Sequence, residues 1–200
     1  MKKLLSICLI VLIMLSFLCS CKKYDGTEFN AVMIGGYQDY ISVTTLDENV
    51  DFYDANIIVK VSELGFKIEK GRAVRIKIKY RELDEFGEVK ITPESVNLIE
   101  EKVQKITPQE LEGIKNEAVF VDARSRDEYN LGHIKNAVSL TYKTMEQNYK
   151  KALPNKDAKI IVYAGSEETA ELTASHLIAF GYKKVYCLGN INDYKFDFVV

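Results

Sequence analysis

The stretch Ile160–Tyr182, IIVYAGSEETAELTASHLIAFGY, reads as an apolar strand, a tight loop and a helix. Ala170, Ala174, Leu177 and Ile178 recur at the spacing of one helix face, Gly181 ends the run, and Ser166 stands where an N-cap belongs. In an α/β protein, a loop between the carboxyl end of a parallel strand and a helix start is the usual place to hold an anion or run chemistry. This one contains no Cys, Lys, Arg or His and carries Glu167 and Glu168 instead. Carboxylates in a first turn sit at the positive end of the helix dipole, so the loop is a self-sufficient helix start that repels anions.

Working outward, Ala118–Asp122, Ala137–Leu140, Lys159–Tyr163 and Lys184–Leu188 are further apolar runs, interleaved with helix-like segments after Lys105. Alternating strand and helix with near-continuous apolar strands predicts a parallel sheet covered by helices. Within it, VDARSRDEYNLGHIKNAVSL places Asp122 and Arg124 at a strand end, then Glu128-Tyr129, Gly132-His133-Ile134 and Ala137. The carboxylate of Asp122 is suited to fixing the loop, and Arg124 to pairing with Asp127 or Glu128. Gly132 permits a turn that other residues resist. His133 reads as a hydrogen-bonded structural residue, because no second His or Cys lies near it to complete a metal site, and His176 reads the same way. No cofactor is expected.

With ITPQEL before it and GYKKVYCLGNINDY at the end, this layout resembles a rhodanese domain over residues 106–200. The resemblance implies a five-stranded parallel α/β sheet with the active loop after the fourth strand. It also implies a loop-leading cysteine whose thiolate takes a sulfane sulfur from a donor such as thiosulfate and passes it to cyanide or a thiol. Counting back from Gly181 without a gap puts Ala164 at that cysteine position, Glu167 where the family usually has Gly, and Thr169 where a basic residue is common. The expected degenerate loop is therefore Ala164, Gly165, Ser166, Glu167, Glu168, Thr169 and Ala170. A methyl group is no nucleophile, and phosphatase chemistry on this fold is lost with the same cysteine. The remaining candidate for sulfur transfer is Cys187, near the end of the fifth strand, which in this family neighbours the fourth. A lone cysteine inside a strand is ordinarily a small buried hydrophobe.

From Phe29 to about Glu101 the period is two. Val74, Ile76, Ile78 and Tyr80 alternate with Arg75, Lys77, Lys79 and Arg81, so the first set is expected inside and the second outside. Glu85-Phe86-Gly87 reads as a turn, and a return strand begins at Val89 and Ile91, with Pro93 expected to stop it. AVMIGG, YISVTTL and NIIVKV read as earlier short strands, and no long helix is expected. Short strands must hide their edges, which predicts a small β-barrel; the segment weakly resembles the OB-like barrels of bacterial lipoproteins. The basic row favours a solvated face, with Glu82, Asp84 and Glu85 beside it, over nucleic-acid binding. Contact with anionic lipid headgroups is the better functional alternative.

The amino terminus, MKKLLSICLIVLIMLSFLCSC, joins two lysines to an uncharged apolar run of signal-peptide length. Leu18-Cys19-Ser20-Cys21 resembles a bacterial lipobox, which implies a lipid-bearing Cys21 as the first mature residue and a membrane anchor without a spanning helix. The expected organisation is a signal over residues 1–20, a lipidated tether over 21–28, a β-barrel over 29–103 and a rhodanese-like domain over 104–200. After loss of Cys8 and Cys19 and capping of Cys21, Cys187 is the one free thiol, so no internal disulfide forms. Losing Lys2 and Lys3 takes the formal charge from −2 to −4, which offers no overall field for a nucleic acid or an acidic polymer.

The function expected is thus an extracytoplasmic, membrane-anchored protein of the bacterial cell envelope. Its silent rhodanese-like domain would bind or scaffold a protein partner, or take a neutral or cationic ligand. The alternatives are a sulfurtransferase working through Cys187, and an adaptor in which the barrel binds and the second domain is a spacer.

Overall fold

Alternation is plainest in the first half of the computed structural model, which describes residues 27–52 and 56–200. The expected signal, Cys21 and most of the tether lie outside the described residues. Strands β1 (Glu28–Tyr37), β2 (Tyr40–Thr44), β3 (Ile57–Lys60), β4 (Ala73–Leu83) and β5 (Val89–Leu98) close into a barrel in the order β1-β2-β3-β5-β4. The closing pair is β1 with β4, antiparallel from Glu28↔Lys77 to Val32↔Ala73, and β3 lies parallel to β5. Every second residue points in, so Phe29, Ile41, Val43, Ile57, Val74 and Ile76 fill the interior.

Two expectations for this region fail at one place. Tyr80 is 56% exposed rather than inside, and Pro93 does not stop β5, which continues to Leu98. Both follow from the register: Lys77 faces Ser95, Ile78 faces Pro93 and Tyr80 faces Thr92, so Glu94 and Lys79 are each left over as bulge residues. One extra residue flips the alternation beyond it, and a proline that would break a regular ladder is tolerated at a bulge. The turn at Glu85-Phe86 is present, tied by Asp84 Oδ1 accepting from the N–H groups of Phe86 and Glu88. In the basic row, Lys77 pairs with Glu94 and Arg81 with Asp51.

The second half holds β6 (Gln104–Lys105), α1 (Pro108–Ile114), β7 (Ala118–Asp122), α2 (Arg126–Leu131), β8 (His133–Ile134), β9 (Val138–Ser139) and α3 (Tyr142–Ala152). They are followed by β10 (Lys159–Ala164), α4 (Glu167–Ala179), β11 (Lys184–Asn190) and β12 (Phe198–Val199). Five strands form one sheet in the order β6-β11-β10-β7-β9, parallel at every pairing, as the resemblance implied. The strands are apolar on both faces because both are covered. Along β10, Ile160, Val162 and Ala164 enter one core while Ile161 and Tyr163 enter the other.

Helix α4 is the hinge of the architecture. Ala170, Ala174, Leu177 and Ile178 are buried as their spacing predicts, but Ser175, His176 and Ala179 on the far side are buried too. The barrel covers that side: Val32, Leu46 and Ala73 belong to the same core as Leu177 and Ile178, and Asn30 Nδ2 donates to the Ala179 carbonyl at 3.0 Å. Beyond its exposed first turn the helix is enclosed from both sides, so amphipathic patterning is weak along it. It ends as expected at Gly181, whose φ of 89° allows the Gly181 N–H to reach the Ile178 carbonyl and the Tyr182 N–H to reach the Leu177 carbonyl.

Candidate functional site

The carboxyl ends of β7 and β10 adjoin, with Asp122 opposite Tyr163, and the sequence motif gathers there. Asp122 is wholly buried and its carboxylate is gripped by Arg124: Nε donates to Oδ1 at 3.0 Å and Nη2 to Oδ2 at 2.6 Å. The Arg124 backbone N–H also donates to Oδ1 at 3.0 Å, so Asp122 fixes the loop as predicted. The predicted partner of Arg124 was wrong. Glu128 is instead taken by Ser125, accepting from its N–H and its hydroxyl while the Ser125 Oγ accepts from the Glu128 N–H, a capping box that starts α2. Asp122 wins because it reaches the fork with two oxygens in a site from which water is excluded.

The rest of the guanidinium is also engaged. Arg124 Nη2 donates to the Gly132 carbonyl at 2.7 Å, and the group lies between the rings of Tyr163 and Phe198, 5.6 and 5.5 Å from their centroids. The Asp122 hydrogen bonds raise its pKa, so it stays a cation. Gly132 has φ 153°, and a Cβ there would lie 3.3 Å from that of Phe198. His133 stacks on Tyr129 at 3.8 Å and its Nδ1 lies 3.0 Å from the Tyr129 carbonyl, while the Tyr129 hydroxyl donates to the Ala137 carbonyl at 2.8 Å. Asp122, Arg124, Glu128, Gly132 and His133 are therefore brought together, in framework duties. Among the described residues no group of His, Cys, Asp and Glu could hold a metal ion.

The loop follows directly. Ala164 ends β10 fully buried, and Ser166 caps α4 by accepting from the Thr169 N–H at 3.2 Å. Glu168 pairs with Lys70 of the barrel at 2.7 Å, and Glu167 pairs with Lys105 of β6 at 2.6 Å; Lys105 also reaches Glu171 at 2.9 Å. A Cβ on Gly165 would stand 3.6 Å from Glu128 Oε1, so a third carboxylate borders the loop. Hydrogen bonding to Ser125 holds Glu128 below the usual carboxylate range, and that to Lys70 does the same for Glu168. The loop is thus tied across to the barrel and to β6, and bordered by three carboxylates, two of them paired with lysines. Lys70 and Lys105 escape sequence reasoning because they are 98 and 62 residues from their partners.

Cys187 is placed elsewhere. It lies mid-strand in β11 opposite Val162, 5% exposed, in the core that α4 covers. Burial pushes its thiol up to about 11. At neutral pH only ~10⁻⁴ of it would be thiolate. The part of β11 that reaches the loop is Gly189, past a register shift, where a Cβ would touch the Glu167 side chain at 3.8 Å. The prediction that His176 is hydrogen-bonded fails: it is buried, its Nε2 has no partner, and its ring meets Tyr142 edge-on at 5.3 Å.

Residues 107–195 match the family model described as the rhodanese-like domain. The chain is 32% identical over 74 residues to a Coxiella burnetii protein named thiosulfate sulfurtransferase GlpE, covering 37% of this chain and 67% of that protein. It is 31% identical over 83 residues to a Hamiltonella defensa protein named tRNA uridine(34) hydroxylase, covering 39% of this chain and 23% of that one. Among solved structures, a rhodanese-related protein from Thermoplasma volcanium is similar, with a TM-score of 0.43 and 18% identity over 48% of this chain and 97% of that one.

Proposed function

Taking as premise that the chain belongs to the rhodanese-like domain proteins, we propose that its domain is catalytically silent and serves as a binding or scaffolding module. The observation that carries this reading is Ala164: the residue that ends β10 at the head of the loop is a buried methyl group. What surrounds it agrees. Glu128, Glu167 and Glu168 border the loop, where an active domain must stabilise a negative sulfur, and the two helix glutamates are committed to Lys105 and Lys70. We further propose that the barrel is OB-like, on its strand order and its β1–β4 closure. The lipobox resemblance supports a lipid-anchored protein of the cell envelope, held at the membrane through Cys21, with a protein partner and no nucleic acid.

A second reading, sulfur transfer through Cys187, is favoured by the likeness to the relative named as a thiosulfate sulfurtransferase. The buried, raised thiol opposes it. Incubation of the purified chain with thiosulfate and cyanide separates the two. The silent reading expects no turnover and no persulfide mass on Cys187, with turnover gained by Ala164→Cys combined with Glu167→Gly. Turnover that disappears in Cys187→Ser overturns it. For the anchor, labelled fatty acid should be incorporated by the native chain and not by Cys21→Ala; equal labelling of both refutes the assignment.

A further inference from the structure

At the carboxyl ends of β7 and β9, beside α2, the face of α3 borders an open cavity of about 870 Å³. That is the size range of pockets that enclose small organic ligands. Thr144, Asn148 and Lys151 fall at helical spacings of four and three, so α3 turns one face to the cavity while Met145 is buried in the core. Ser139 and Tyr142 continue the wall, and Arg126, in the first turn of α2, stands at its other side.

The charge of this wall is the reverse of the loop's. No carboxylate lines it, while Arg126 and Lys151 both do. Neither cation is in a salt bridge among the described residues, although Lys150, next to Lys151, is paired with Glu48. Arg126 only overlies the Tyr129 ring, at 5.4 Å. Asn148 spends one N–H on the Thr144 carbonyl at 2.9 Å, which leaves its other N–H and its oxygen for a ligand. The Tyr142 hydroxyl is shared with Thr44 and that of Thr144 with Thr141, but two cations, the Ser139 hydroxyl and the Asn148 amide lining one concavity suit an oxyanion, which a guanidinium receives in two parallel hydrogen bonds.

We propose that this cavity binds a small organic oxyanion, a phosphate monoester or a carboxylate, with its charged end between Arg126 and Lys151 and its body against Tyr142. The proposal does not depend on whether the loop is silent. Titrate the isotopically labelled chain with adenosine monophosphate, with citrate and with uncharged adenosine, following backbone amides by NMR. One of the two anions should give saturable shifts at Ser139, Thr144, Asn148 and Lys151, and which one does so distinguishes the phosphate source from the carboxylate source. Adenosine should give none. Combining Arg126→Gln with Lys151→Gln should weaken binding roughly a hundredfold, about tenfold for each charge-assisted contact. Both side chains are exposed, so the thermal midpoint should not move. Asn148→Ala should weaken binding by a smaller factor. Absence of saturable shifts with both anions, equal binding of adenosine, shifts confined to residues 164–170, or unchanged affinity in the double variant would each overturn the proposal.

Discussion

The end of β7 and the seam between the barrel and α4 both hold polar side chains against packed apolar ones, and they do so in opposite ways. At the strand end, Asp122 is buried and fully matched by Arg124, which is itself bonded to Gly132 and enclosed by two rings. Along the seam, the ion pairs are at the surface, with Lys70 and Glu168 66% and 76% exposed. On α4 itself, His176 Nε2 and Thr173 Oγ1 are buried without partners. The first arrangement specifies one geometry; the second tolerates imperfection. The strand end is thus held by a buried pair, and the loop beside it by exposed pairs that reach other elements.

The largest expected effect tests the strand end. Arg124→Met strands the Asp122 carboxylate in the core and should cost about 3–5 kcal/mol in denaturant unfolding. A loss under about 1 kcal/mol would put this pair in the same class as the exposed ones.

Next comes pH, which probes the seam. Desolvation brings the folded pKa of His176 down to about 3, below its ordinary 6.5. The unfolded chain therefore binds a proton first as pH falls, so this contribution is flat above about 6.5 and stability is lost below it. The slope is roughly 1.4 kcal/mol per pH unit at most. Denaturation midpoints at pH 7 and pH 5 should differ accordingly, and His176→Leu should flatten the dependence; an unchanged slope in that variant would assign it to other groups.

A smaller effect returns to the strand end. Gly132→Ala forces a methyl group into a left-handed backbone against Phe198, and should cost about 1 kcal/mol or somewhat more. The smallest belongs to the seam: Lys70→Ala or Glu168→Ala should leave the unfolding midpoint within experimental scatter, because exposed pairs are screened and lose side-chain entropy. A shift like that of Arg124→Met would erase the contrast between the two regions.

Local chemistry was legible from residue order. Ser166 and Gly181 mark both ends of α4 because caps are made by near neighbours. The alternation of β1 to β5 and the apolar runs of the parallel sheet reflect one wet face in the first case and two covered faces in the second. What stayed hidden depends on distant chain. Arg124 is the exception, a choice among near neighbours: of three carboxylates close in sequence, Ser125 claims Glu128 and buried Asp122 takes the guanidinium. The Lys79 bulge that turns Tyr80 outward is a property of pairing with β5 and leaves no mark in the alternating letters. Likewise, the burial of His176 follows from the barrel docking on a helix more than 100 residues later in the chain. For the loop, residue identity at Ala164 and Glu167 was informative, but the lysines that hold its glutamates were visible only in the folded chain.

The core that joins Val32, Leu46 and Ala73 to Leu177 and Ile178 has a calorimetric consequence. The boundary near residue 103 divides the sequence, but no solvent layer divides the side chains on either side of α4. Cutting there would bare a strip of apolar surface on each fragment, with about 25 cal/mol lost for every Å² exposed. Heating the intact chain should therefore give one endotherm, with equal calorimetric and van't Hoff enthalpies, and each half produced alone should melt lower and bind a hydrophobic dye.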